Sequence, residues 1–299
     1  MNRLKKHRKK SVSDIIFLTF CTALLILFFV VFMYPIAYVV VSSISTPSMR
    51  DGLSLMPNSI SFEGYKAILQ DKTIIRGFLN SLLYTSVGTV VSLSVTVLTG
   101  YTLSRDEFKS KNFITVLFVI TLYFNGGMIP TYLVVKKLGL LNSMWSLILP
   151  SCISVYNIFL TKAHFANKIP KSLYDAAQMD GCGHWRFLLK VALPMSTSFL
   201  MVIALFFAVS YWNSYFNSMI YITDLEKLPL ANVLNNILIK NQTTLESGVF
   251  SSNIDEISAQ RKQLIDYSLI VFSSLPVMLM FAISKKHIQK GDITGKSKL

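Results

Sequence analysis

The sequence predicts an all-α polytopic membrane protein: six transmembrane helices, with a charged cytoplasmic loop between the fourth and the fifth. Three observations carry that expectation. Hydrophobic residues make up 52% of the 299 residues and charged residues only 15%, with a mean hydropathy of +0.51, which is too apolar for a water-soluble domain. Six stretches free of Asp, Glu, Lys and Arg recur along the chain, each near the roughly 20 residues that a helix needs to cross a bilayer. The Lys and Arg residues that flank them are unevenly shared between alternate connecting segments, as the positive-inside rule requires.

The first stretch, residues 15–41, follows a basic run and is too long for the apolar part of a signal peptide, so it reads as a retained span. The others are residues 77–104, 112–135, 143–161, 195–223 and 267–284. Six spans put residues 1–14 and 285–299 on the same side as segments 105–111 and 162–194. Nineteen of the 29 Lys and Arg residues lie there, with six of the 15 acids, giving +13 on that side and +1 on the other. That bias makes residues 1–14 a cytoplasmic basic N-terminus, residues 15–284 the membrane domain and residues 285–299 a cytoplasmic tail. It also accounts for the net charge of +14 without any nucleic acid. Long external loops are expected at about 42–76 and 224–266. The second is longer than a simple connection requires and reads either as a partner-binding insertion or as a solvated one. Pro35, Pro130, Pro150 and Pro276 fall within or beside spans, where ordinary kinks and a gated pathway are both open readings.

The segment 173–194, LYDAAQMDGCGHWRFLLKVALP, is the most informative part of the chain. It predicts two short helices meeting at Gly181, a residue that tolerates positive φ, with Pro170 near the start of the first and Pro194 ending the second and opening the fifth span. Ala176 and Ala177 give the first helix a face small enough for another backbone to approach. Trp185, Phe187, Leu188 and Val191 give the second an apolar side.

This stretch resembles the EAA loop of ABC importer membrane subunits, through Asp175-Ala176-Ala177, Asp180-Gly181 and Val191-Ala192-Leu193-Pro194. It departs from that pattern in having Asp175 for the usual Glu and Cys182 where Ala is common. The shorter Asp175 side chain implies a weaker version of the ion pair expected of that carboxylate. Over nearly the whole chain the sequence resembles the maltose-type permease subunits of carbohydrate ABC importers. Tyr123-Phe124-Asn125-Gly126-Gly127-Met128-Ile129-Pro130-Thr131-Tyr132, Lys137-Leu138-Gly139-Leu140 and Trp212-Asn213 are similar to the subgroup that handles aldouronates and other polysaccharide fragments. The resemblance implies a heterodimer with a second permease subunit, a cytoplasmic ABC ATPase dimer, an extracytoplasmic solute-binding protein, and a sugar or oligosaccharide as cargo. It also implies that Asp175, Ala176, Ala177, Asp180, Gly181, Leu193 and Pro194 belong to the loop that docks in the ATPase.

The end of the fifth span carries Tyr211, Trp212, Asn213, Tyr215 and Asn217. On a continuous helix Asn213 and Asn217 share one face, as do Tyr211 and Tyr215. Phenols and amides side by side suit a sugar. An interfacial aromatic belt with amide bonds between helices is the other open reading.

What the sequence lacks narrows the function. No Asp, Glu, Lys, Arg or His lies in the core of a span, which disfavours ion-coupled transport. Residues 291–297, GDITGKS, are one residue short of a phosphate-binding loop, so nucleotide is expected on another chain. The three cysteines and four histidines show no metal-ligand spacing, so no cofactor is expected, and no catalytic constellation supports an enzyme. An ABC importer for a different solute is the nearest alternative.

Overall fold

A computed structural model of the chain describes residues 12–45, 60–246 and 253–295. The basic run before residue 12 and the tail beyond Gly295, with the last part of GDITGKS, lie outside the described residues, as do residues 46–59 and 247–252 of the loops expected at 42–76 and 224–266. Among the described residues the only β pairing is a single bridge between Ser45 and Ile60; nearly everything else is helix. Two compact units emerge, Met1–Ala67 with Leu245–Val271 and Ile68–Thr244 with Phe272–Leu299.

The first unit contains α1 (Val12–Ser43), most of α2 (Glu63–Gln70) and the first part of α14 (Asn253–Gly295). Residues 13–43 of α1 are a 31-residue apolar helix with no buried share in its most apolar window. Phe17, Phe20, Leu25, Phe29 and Phe32 stay exposed, which suits a helix surrounded by lipid rather than by its own chain. Its C-terminal end is held by polar and ring contacts. The Ser43 hydroxyl lies 2.7 Å from the Tyr65 hydroxyl, Ser268 Oγ donates to the Ser43 carbonyl at 3.0 Å, and Tyr38 meets the Tyr267 ring edge-on at 5.9 Å.

The second unit is built on α3 (Lys72–Ser104), which packs against α7 (Val155–Lys168) and α11 (Thr197–Trp212). Asp71 caps α3, its carboxylate accepting from Thr73 N at 2.7 Å. Small residues let the helices approach, the usual solution where lipid removes the hydrophobic drive for association. A Cβ on Gly88 would lie 2.8 Å from the Tyr211 ring, and one on Gly100 would lie 2.7 Å from Thr161. At the other end of α3, Asn80 donates to the carbonyls of Glu226 and Leu228, and Tyr84 to that of Lys227. These bonds anchor the segment that leads into α13 (Leu230–Glu246).

Among the described residues three helices are long and apolar enough to cross a membrane: Ser13–Ser43, Lys72–Ser104 and Arg261–Lys285. The remaining three expected spans are each broken. α4 (Lys111–Tyr123) and α5 (Met128–Lys137) meet at 117°, Trp145–Ser151 and Val155–Lys168 at 54°, and His184–Met195 and Thr197–Trp212 at 86°. In the first break Gly127 takes φ 87° and donates to Asn125 Oδ1 at 2.9 Å, a local turn that replaces a helical bond. Pro130 then sits in the first turn of α5, where its missing N–H is harmless. The second break follows Pro150 and restarts at Ser154, whose hydroxyl accepts from Asn157 N at 3.4 Å. Two expectations change accordingly. The fifth span starts at Thr197, three residues beyond Pro194, and the stretch 224–266, read as a loop, is largely helical through α13 and the start of α14.

Gly88→Val overpacks the α3–α11 contact against the Tyr211 ring, whose hydroxyl bonds Ser92 and the Ile148 carbonyl. A loss of about 1–3 kcal/mol is expected, read as a lower melting temperature of the detergent-purified protein, while Ser86→Ala on the exposed side of α3 leaves it unchanged. Equal melting temperatures for Gly88→Val and the parent would contradict this packing.

Candidate functional site

The charged segment between α7 and α11 folds as expected at its centre. α8 (Lys171–Met179) follows Pro170, and α9 (His184–Phe187) follows Gly183. Gly181 adopts φ 73°. Its N–H donates to the Gln178 carbonyl and the Cys182 N–H to the Ala177 carbonyl, both at 2.9 Å. This pairing is the Schellman stop, and it places Cys182 against Ala177 as the apolar contact that accompanies it. Nothing lies within 4 Å of a Cβ built on Gly181, so only the backbone conformation demands glycine there.

Beyond α9 the chain forms one π turn, Leu188–Ala192, in which Leu193 N–H reaches back to the Leu188 carbonyl. Pro194 has no N–H to offer the Lys190 carbonyl, and a wider turn just before it absorbs the mismatch. The short α10 (Leu193–Met195) then ends at Ser196, where the chain turns into α11.

One side of this hairpin is buried in its own chain. Phe165, Phe187 and Ala192 are fully buried with Tyr101, Tyr174, Ile169, Val97 and Leu188 in one cluster, and Ala177, Cys182, Val191 and Leu193 pack on it. The Tyr101 ring meets Phe165 edge-on at 5.7 Å, and Tyr174 meets Phe187 edge-on at 5.0 Å. Arg105, the C-cap residue of α3, lies among these rings, its Cζ 4.6 Å from the centroid of Tyr101, 5.2 Å from Tyr174 and 5.6 Å from Phe187.

Two of the expected features sit differently on the two helices. Ala177 is half-buried and packs on this cluster, because at three residues from Tyr174 it shares the buried stripe of α8. Trp185 is 67% exposed, whereas Phe187, Leu188 and Ala192 belong to the cluster and Val191 packs on it. Towards the end of α8 the exposed residues include Ala176 and Met179, the latter 89% exposed, and the C-cap Asp180 beside them is exposed too. Asp175 is exposed and has no ion-pair partner among the described residues.

The base of the hairpin is also tied by polar contacts that sequence reasoning missed. The Tyr174 hydroxyl donates to Glu107 Oε2 at 3.1 Å, lies 2.9 Å from His184 Nδ1, and accepts from Gln178 Nε2 at 2.9 Å. Burial first, and then its bond to Glu107, pushes the Tyr174 phenol up to about 12. Its folded value lies above the ordinary one, so its contribution to stability is complete below pH 10.0 and is lost as the pH rises towards about 12. Lys111, hydrogen-bonded at 2.6 Å, holds the Asp106 carboxyl below its usual range, with Lys171 adding to it at 3.7 Å. The Tyr101-x-x-x-Arg105 spacing at the end of a span is the sequence signal for this cluster, but its ring partners Phe165, Tyr174 and Phe187 lie far along the chain.

The second group of candidate residues is not brought onto shared helical faces. α11 stops at Trp212, and α12 (Tyr215–Tyr221) begins after Ser214. Asn213 Nδ2 folds back to the Val209 carbonyl at 2.9 Å, and the Tyr215 N–H turns to the Asn213 carbonyl at 2.8 Å. Such local bonds end helices. Tyr211 is buried, its hydroxyl donating to the Ile148 carbonyl at 3.2 Å and 2.7 Å from Ser92 Oγ. Trp212 is buried too, its indole N–H 3.2 Å from the Ser273 carbonyl and its ring 5.9 Å from Phe78. Asn213 is exposed, whereas Tyr215 and Asn217 are half-buried, Asn217 Nδ2 lying 3.4 Å from Ser151 Oγ.

Residues 106–226, which contain the hairpin and these polar positions, match the family described as the inner membrane component of binding-protein-dependent transport systems. The chain is 35% identical over 278 residues to the polygalacturonan/rhamnogalacturonan transport system permease protein YtcP of Bacillus subtilis (strain 168), covering 92% of this chain and 95% of that protein. It is 33% identical over 300 residues to the protein LplC of the same organism, covering 100% and 98%. Among solved structures it resembles a chain of a bacterial ABC transporter involved in the import of the acidic polysaccharide alginate. That match has a TM-score of 0.81 and 29% identity, and covers 93% of this chain and 99% of that one.

Gly181→Ala is expected to destabilise the hairpin by about 1–2 kcal/mol through backbone conformation alone. Gly183→Ala, at φ −72°, has no such penalty. Limited proteolysis of the purified protein checks this, with faster cleavage between Met179 and Trp185 in the first variant only. Equal cleavage in the two would contradict the turn described here.

Proposed function

Because the chain belongs to the family of binding-protein-dependent transport system inner membrane components, we propose that it forms half of the translocation path of an importer for a sugar or oligosaccharide and couples to a separate ATPase through α8 and the Gly181 turn. It is a multi-pass membrane transport subunit of an ABC importer. The observation that carries the proposal is end-to-end similarity to a permease named for polygalacturonan and rhamnogalacturonan transport, combined with a hairpin whose inner side is fixed to α3 and α7 and whose outer side is bare.

In this reading the α4–α5 pair and the Trp145–Lys168 pair are each one span and α11 is another, which gives six with the three long helices. Both termini and the hairpin then lie in the cytoplasm, and residues 224–266 face outward to the solute-binding protein. The partners are a second permease subunit, a dimer of cytoplasmic ATPase chains and that binding protein. α8 presents Ala176, Met179 and Asp180 to a cleft in the ATPase, with Asp175 beside them free to pair across the interface. Leu193 and Pro194 carry movement of the hairpin into α11 through the π turn and the bend at Ser196. At the other end of α11, Asn213, Tyr215 and Asn217 offer hydrogen bonds and a ring face to the sugar, while Tyr211 and Trp212 hold the helix end in place.

Topology is checked with single cysteines in a background lacking Cys21, Cys152 and Cys182. A cysteine at Met179 is expected to react with a membrane-impermeant maleimide only from the cytoplasmic side, and one at Leu225, 71% exposed, only from outside. The reverse pattern would overturn the orientation.

Ala176→Arg is expected to abolish uptake of labelled oligosaccharides by the assembled importer and to release the ATPase, with the permease pair intact, because the long cation fills the surface the ATPase needs. Ala177→Arg would instead unfold the hairpin base and is the poorer probe. Uptake and ATPase co-purification at the parent level in Ala176→Arg would refute the coupling role. Uptake of amino acids in place of oligosaccharides by the parent importer would refute the sugar assignment alone.

A further inference from the structure

A cavity of about 350 Å³ opens beside the hairpin base, lined by Leu98, Tyr101, Thr102, Arg105, Glu107, Phe108, His184, Trp185 and Leu188. Its cation is incompletely satisfied. Arg105 Nε and Nη2 and the Tyr101 hydroxyl are buried without a hydrogen-bond partner, and among the described residues no carboxylate lies within ion-pair distance of Arg105. The ring faces and the C-terminal end of α3 compensate the charge in part. They give Nε and Nη2 no hydrogen-bond acceptor. Glu107, the acid on the rim, is engaged elsewhere, with the Tyr174 hydroxyl at 3.1 Å and His184 Nε2 at 3.6 Å. A planar guanidinium over aromatic rings, with two of its nitrogens lacking an acceptor, suits the paired oxygens of an anion such as a phosphate or a carboxylate.

We propose that this cavity binds the phosphate of an anionic phospholipid, with Arg105 as its anchor and the acyl chains running along Leu98 and Trp185. Three features favour a lipid over a soluble anion. The cavity straddles the end of the apolar helix α3, from Leu98 inside it to Phe108 beyond it, so it lies where the headgroups of a bilayer lie. Its outer wall is apolar and open, with Leu98 40% and Trp185 67% exposed, and tryptophan at that depth is a usual interfacial anchor. Lys109, Lys162, Lys171, Arg186 and Lys190 occur in the adjoining segments, a setting that attracts an acidic leaflet. A lipid seated there bridges α3 and the hairpin, so its occupancy affects how firmly the hairpin is held. The inference rests on α3 spanning the bilayer, and not on the cargo or on the ATPase.

The test uses the full-length protein purified in mild detergent with its partner chains, titrated with phosphatidylglycerol or phosphatidylcholine carrying brominated acyl chains. The readout is quenching of Trp185 fluorescence, taken as the difference between the parent and Trp185→Phe. Half-quenching is expected at about tenfold less phosphatidylglycerol than phosphatidylcholine, and Arg105→Gln is expected to erase that preference. Arg105→Lys, which keeps the charge but loses the fork, is expected to retain only part of it. Melting temperature and pairing with the second permease distinguish loss of binding from loss of fold in both variants. Preference unchanged in a folded Arg105→Gln variant, or equal quenching by both lipids in the parent, would overturn the proposal. Relief of quenching by millimolar inorganic phosphate with no dependence on the acyl chains would assign the cavity to free phosphate and overturn the lipid reading.

Discussion

A loop that is to push on a helix has to be fixed at its base, and here the fixing is done by aromatic packing around one cation. Tyr101 at the end of α3, Phe165 near the end of α7, and Tyr174 and Phe187 from the two arms of the hairpin form one buried cluster, and Arg105 lies over three of these rings. Remove that cluster and the hairpin is two short helices, of nine and four residues, too short to persist alone in water. The shape of the bare outer face therefore depends on contacts made on the inner one. Glu107, Gln178 and His184 add direction, because all three converge on the Tyr174 hydroxyl and fix which stripe of α8 turns inward.

The same logic runs along the route from hairpin to membrane. From Phe187 onward the chain is helical without a loop, but it includes a π turn, a proline and an 86° bend within nine residues of one another. Such a segment is stiff along its length and able to change its angle at defined points. Further on, α11 is clamped to α3, where Tyr211 lies over Gly88. His164 stacks on Phe199 at 4.0 Å and joins α7 to α11 as well. In the proposed mechanism these contacts let a displacement of the hairpin move α3, α7 and α11 as one body.

Much of this was legible in the sequence, for identifiable reasons. The Asp180-Gly181 pair announced a helix stop that only a left-handed residue can make, and Gly181 takes that conformation. Apolar length announced α1, α3 and α14, since hydropathy reports burial in lipid regardless of partner. The breaks in the other spans were legible only in part. A helix that is apolar all round carries no periodic signal, so nothing in residues 112–135 marked a bend except Gly126-Gly127 and Pro130, only Pro150 pointed to the next break, and nothing in residues 195–223 distinguished a continuous helix from one that Asn213 ends by bonding to its own backbone. The orientation of Ala177 and the exposure of Trp185 depend on Tyr101 and Phe165, which are distant in the chain, and so does the uncompensated guanidinium of Arg105. Pairings of that range require the fold.

The most direct test of the account is a photo-crosslinking amino acid placed at Met179, the most exposed residue of the outer α8 face, in the importer assembled in membranes with all its chains. The account predicts a crosslink to the ATPase chain. A crosslink confined to phospholipid or to the solute-binding protein would contradict it, because the face proposed as the coupling surface would then not meet the motor.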